Sequence, residues 1–124
     1  MPRKLLAGCL LVACALFFSG CVALLAGAGG TALWHGGKII SEERGTIART
    51  VDAAKAAFRA KKITLTGEVI RDQVTQLRGE DLSHAKVAVD VFETGPHVVR
   101  VEIRVGLGEK IAARDLLSEI KRRM

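Results

Sequence analysis

At 124 residues the chain is long enough for one small domain, and its 19 basic against 13 acidic residues give a net charge of +6. Three cysteines, two of them inside an apolar N-terminal run, exclude a disulfide framework, so stability has to come from an ordinary apolar core. The basic balance does not mark a nucleic-acid binder, because there is no Tyr and no aromatic residue interleaves with Lys or Arg in a recognition motif. It reads as a solvated basic surface with weak attraction to anionic head groups, and no nucleic-acid partner is expected.

The first element is an address. Arg3 and Lys4 supply a positive start, Leu5 to Phe18 carry no charge, and Ser19-Gly20 places two small residues before Cys21. That order is the layout of a bacterial lipoprotein signal peptide over residues 1–20, cut immediately before a cysteine that takes lipid. Each buried CH₂ of an acyl chain contributes about 0.8 kcal/mol, and two or three chains make a stable anchor. Removing Arg3 and Lys4 with the signal lowers the net charge from +6 to +4. Cys9 and Cys14 leave with it, and the sulfur of Cys21 is used by lipid. Val22 stands where an aspartate would signal retention at the inner membrane, so attachment to the outer membrane, facing the periplasm, is expected. The alternative is that the uncharged stretch Leu5 to Leu33 forms one uncleaved transmembrane helix, a signal anchor.

Residues 21–37 form a tether behind the lipidated cysteine. The segment VALLAGAGGTALWHGG has no charge and five glycines, too small-sided for a core and too apolar for an ordinary solvated linker. Small residues four apart (Ala23 and Gly27, Ala26 and Gly30) would permit close helix packing, and the glycines could equally give slack. Trp34 suits the membrane interface, or it is the first residue to dock on the folded domain.

From Lys38 to Met124 the pattern is that of a single α+β domain. Lys38 to Glu43 predicts a short strand, and Gly45-Thr46 ends it, with Thr46 as a helix N-cap. Ile47, Val51, Ala54 and Phe58 recur at helical spacing, predicting an amphipathic helix over 47–61. Ile63, Leu65, Gly67 and Val69 alternate with polar residues as a strand does, and a weaker strand spans Val74 to Arg78. Val87, Val89 and Val91 alternate, Gly95-Pro96 turns the chain, and Val99, Val101, Ile103 and Val105 alternate again, which predicts a hairpin with one apolar and one polar face. After Gly106-Leu107-Gly108 a second helix carries Ala113, Leu116, Leu117, Ile120 and Met124 on its inner stripe. Lys121-Arg122-Arg123 suit its C-terminal dipole. The order β-α-β-β-β-β-α predicts a two-layer sandwich, with both helices on one face of a mainly antiparallel sheet. Phe58, Val89, Val101, Ile103, Leu117 and Ile120 are the expected core.

Gly37-Lys38-Ile39-Ile40, Ala56-Ala57-Phe58 and, above all, Ile103-Arg104-Val105-Gly106 before the last helix carry a resemblance. The chain resembles the family of small bacterial lipoproteins grouped as domain of unknown function 3568. The resemblance covers nearly the whole chain. It implies a signal ending in cysteine, a Gly/Ala-rich segment and one α/β unit, and it brings no catalytic or ligand residues.

Chemistry is sparse. His35, His84 and His97 do not cluster in sequence, although His84 and His97 could be neighbours across the hairpin near its turn, where Glu93 or Asp81 would have to complete a metal set. Solvated histidines explain them better, and no metal or other cofactor is expected. Ser41, Ser83 and Ser118 lie in no nucleophile-elbow pattern. Glu42-Glu43 and Glu80-Asp81 share their surroundings, whereas an acid–base pair needs opposed ones. Gly106 to Lys110 lacks the spacing of a phosphate loop, and Glu109 would repel phosphate.

The expectation is a non-catalytic binding or scaffolding module on the envelope membrane. Its candidate partner-binding face is the outward row Arg100, Glu102 and Arg104 with Lys86 and Asp90 beside it. Membrane lipid through Cys21 and an envelope protein are the expected partners. The alternative is a small ligand- or lipid-binding domain, less readily a hydrolytic one, with a pocket between sheet and helices.

Overall fold

Residues 32–124 are described in a computed structural model, so the expected signal peptide over 1–20 and Cys21 lie outside the described residues. The strands are β1 (Leu33–His35), β2 (Lys38–Arg44), β3 (Thr64–Arg71), β4 (Val74–Glu80), β5 (Lys86–Gly95) and β6 (Val98–Val105). The helices are α1 (Ile47–Ala60), between β2 and β3, and α2 (Lys110–Arg123), after β6. All pairings are antiparallel, in the order β1-β2-β6-β5-β4-β3, so the β2–β6 pair joins segments far apart in the sequence. The α+β sandwich expected from the periodicities is what forms.

Local chemistry accounts for the elements. Thr46 caps α1, its Oγ1 accepting from the Arg49 N–H at 3.2 Å. The two-residue turn Gly36-Gly37 has φ of +59° and +79°, the positive values a tight hairpin with right-twisted strands requires. Pro96-His97 closes the β5–β6 hairpin with His97 at φ +56°, the left-handed position after a turn proline. In α2 the last turn carries Lys121, Arg122 and Arg123, which face the negative end of the helix dipole.

One face of the sheet makes the core. Ile39, Leu77, Val87, Val89, Val91, Val99, Val101, Ile103 and Val105 are buried with Val51, Ala53, Ala54, Ala57 and Phe58 of α1 and Ala113, Leu116, Leu117 and Ile120 of α2. All six residues expected in the core are there. The alanines of α1 let the two helices approach each other as they cover the sheet. Phe58 sits over Gly79, where a β-carbon would lie 2.9 Å from Cε2 of its ring.

Three expectations are corrected. The tether does not run to Gly37, since Leu33–His35 pairs with Lys38–Ile40 as a sheet edge and Ala32 and Trp34 pack against the core. Trp34 lies opposite Ile39 and so points to the helix side, which is the docking role weighed for it and not the interfacial one. The alternation of Leu65 with Val69 is broken by a bulge between Leu65 and Gly67 that turns the two side chains to opposite faces. His84 and His97 are not neighbours, because they lie at opposite ends of β5, a strand of 10 residues that spans about 30 Å. Among the described residues no helix is long and apolar enough to cross a membrane.

Candidate functional site

The second face of the sheet is covered by neither helix, and alternation alone decides what it carries. With Val99, Val101, Ile103 and Val105 turned to the core, β6 must turn Arg100, Glu102 and Arg104 the other way. On β5 the same parity brings Lys86, Ala88, Asp90 and Phe92 to that face. Pairing then sets Asp90 opposite Glu102, Phe92 opposite Arg100 and Ala88 opposite Arg104. On the other side of β6, Ile40 faces Glu102 and Glu42 faces Arg100.

Two carboxylates directly opposite each other repel, and the surrounding cations answer that repulsion. Glu102 is ion-paired with Lys38 and accepts from Arg100 Nε at 3.2 Å. Asp90 Oδ1 accepts from Arg78 Nη1 at 2.6 Å. The Arg100 guanidinium lies 4.6 Å from the centre of the Phe92 ring, within range of a cation–π contact. Arg104 reaches sideways, donating from Nη2 to the Gly36 carbonyl at 2.7 Å and so fixing the β1–β2 turn. That turn is pressed close, because a β-carbon on Gly108 would lie 3.2 Å from Gly37 Cα.

Of the five residues expected on this face, Arg100 and Glu102 are joined directly, while Asp90 stands opposite Glu102 with a cation of its own, Arg78. Lys86 stands apart at the corner, where its Nζ lies 3.0 Å from Glu80. His84 Nδ1 is 2.8 Å from the same carboxylate, and these two contacts, His84 first, hold the Glu80 carboxyl below its ordinary range. The neighbouring Asp81 is lowered as well, by the Ser83 hydroxyl and then the Ala85 N–H, which close the β4–β5 loop around it. Glu102 departs from the expected exposure. Only 7% of it is accessible, since Lys38 and Arg100 lie across it.

Lys38, Arg78 and Phe92 belong to the face although none of them was among the residues expected on it. Phe92 was legible as the next step of the Lys86, Ala88, Asp90 row. Lys38 was not, because its place depends on β2 pairing with β6, some sixty residues away. A second ion cluster was likewise missed. Glu119 is 6% exposed on α2, held by Arg122 and by Arg123 Nη2 at 2.9 Å, and its carboxyl lies below its ordinary range chiefly through Arg123.

Two clefts open among the described residues. One of about 150 Å³ opens between the C-terminal end of α1 and the start of α2, lined by Ile63, Val87, Val105, Ala112 and Leu116, with the Lys61–Asp115 pair (2.5 Å) and Asp81 at its rim. Another of about 420 Å³ lies at the opposite end of the sheet, beside Thr46, Ile47, Glu93 and His97. The hydroxyls of Ser41 and Ser83 are committed elsewhere, to Glu43 at 2.8 Å and to Asp81 at 2.7 Å. Among the described residues no three His, Cys, Asp or Glu side chains gather as a metal set.

Fold and site together define a small α+β unit in which an antiparallel sheet carries both helices on one face and a compensated charge network on the other. The chain belongs to the family described as "Protein of unknown function (DUF3568)", whose model matches residues 4–123. No curated protein is significantly similar to it.

Proposed function

We propose that this chain is a lipid-anchored, non-catalytic binding or scaffolding module of the bacterial cell envelope. Acylated Cys21 holds it, most simply on the outer membrane facing the periplasm, and the uncovered sheet face meets a protein partner. The observation that carries the reading is the division of the sheet. Both helices pack on one side, leaving Lys38, Arg78, Asp90, Arg100 and Glu102 locked into fixed partners on the other. Side chains already held in place lose less entropy when a partner docks, which favours polar recognition over a merely soluble surface. The apolar cleft beside Lys61, at about 150 Å³, falls short of the roughly 300 Å³ at which small-ligand sites begin, and the cleft of about 420 Å³ beside Thr46 and His97, which passes that size, is walled mainly by polar and turn residues where such sites are mostly apolar.

The anchor and the face are tested separately. Cys21→Ala should block acyl labelling and leave an unprocessed precursor, and a wild-type intact mass that still begins at Met1 overturns the lipid anchor in favour of an uncleaved one. Photo-crosslinkers at Lys86 and Arg104 should capture the same envelope protein in cells, while one at exposed Asp52 on α1 captures none. Equal capture at all three positions refutes the face.

A further inference from the structure

The sheet has two edges of very different character. β1 is 3 residues long, whereas β3 runs for 8 and, among the described residues, pairs only with β4. Among the described residues its outer row of N–H and C=O groups is therefore unpaired, and beside the charged Glu68 and Arg71 the strand exposes three large apolar side chains. Leu65, Val69 and Ile70 are 40%, 44% and 74% exposed. The bulge ends regular pairing at its N-terminal side, which leaves Gly67 to Arg71 in unbroken register with β4.

We propose that a second copy of this chain covers this edge, with β3 pairing antiparallel to its own copy about a twofold axis at Val69. The choice of occupant rests on the strand's self-complementarity. Residues opposite each other across an antiparallel pair point to the same face, so a continuous sheet allows only registers centred on a residue. Centring on Glu68 sets that carboxylate against its own copy, and centring on Ile70 sets Glu68 against Asp72. Both place like charges directly opposite, which is unfavourable. Centring on Val69 avoids this. Val69 then meets Val69 on the open face, Ile70 lies along the stem of Glu68, and Arg71 comes opposite Gly67. The pairing uses the whole regular stretch Gly67–Arg71 and nothing beyond it. Each Glu68 keeps its own cation, since Lys55 Nζ is 2.8 Å away in the same chain. The twofold closes the assembly at two copies, burying the long edge and leaving the short β1 edges outermost.

The test uses the full-length protein in its membrane. Val69→Cys should give a disulfide-linked dimer on mild oxidation, because opposed Cβ atoms lie about 5 Å apart in such a pair. Ile70→Cys, opposite Glu68 in this register, should give at least tenfold less. In detergent the wild-type chain should have twice the mass of Val69→Lys, which sets two ammonium groups against each other on the axis while altering a side chain already exposed. The proposal is overturned if Val69→Cys stays monomeric, if both cysteines crosslink equally, if Val69→Cys links instead to another protein, or if Val69→Lys keeps the wild-type mass.

Discussion

Gly79→Ala is the substitution whose effect the packing fixes most closely. Gly79 lies in β4 between Leu65 of β3 and Val87 of β5, directly beneath Phe58. An added β-carbon would stand 2.8 Å from Ile63 Cγ2, 2.9 Å from Phe58 Cε2 and 2.9 Å from the Thr64 carbonyl oxygen. Real β-carbons do not approach atoms this closely, and the carbonyl belongs to the paired backbone, so it cannot swing away as a side chain end can. Overpacking of this kind costs about 1–3 kcal/mol, against a gain of about 0.5–1 kcal/mol from replacing a strand glycine. With three close contacts the strain wins, and a net loss of about 1–2 kcal/mol is expected. For a domain of this size that lowers Tm by about 5–15 °C. Urea denaturation of the Ala32–Met124 domain, followed by circular dichroism, measures it. Phe58→Leu removes one of the three contacts, so the double variant should lose less than the sum of the singles. A Gly79→Ala domain as stable as the parent, or strictly additive losses, would refute this account of the Phe58–Gly79 contact.

Three further outcomes follow from the same contacts. Arg100→Glu should destabilise by about 1–3 kcal/mol, because it strips a partner from buried Glu102 and sets a like charge beside it, whereas Arg104→Glu, at an exposed position, should cost under about 1 kcal/mol; equal losses in chemical denaturation would contradict the buried role of Glu102. A fragment beginning at Lys38 should fold but lie about 1–2 kcal/mol below one beginning at Ala32, since it lacks Trp34 on the core; identical urea midpoints would deny β1 any part in the fold. Glu80, Asp81 and Glu119 all titrate below their ordinary values in the folded chain. Their contribution to stability is therefore complete above the unfolded carboxylate pKa of about 4 and is lost as pH falls through the lowered values. Glu119→Gln should flatten that acid limb in a pH series of melting curves.

Periodicity fixed most of what is local here. Alternation along Lys86–Phe92 and Val98–Val105 identified which residues turn inward, and a 3.6-residue repeat did the same for Val51, Ala54 and Phe58 and for Ala113 through Ile120. These are properties of neighbouring residues, so they can be read before any long-range contact is known. Thr46 and the Pro96 turn were legible for the same reason, because a cap and a turn are made by the residues that stand at them.

Tertiary pairing decided the rest. That β2 joins β6 is a contact between segments far apart in the sequence, and only it brings Lys38 to Glu102 and draws Trp34 onto the sheet. The bulge at Leu65–Gly67 inverts a strand that reads as regular, and β3 became the outer edge because no described element pairs beyond it. Glu102 and Glu119 look like ordinary surface charges in sequence, yet each is covered by its own cations once the fold sets them side by side. Side-chain direction is set by the local period, whereas strand order, burial of a charge and the partner across a strand are set by which distant segments meet.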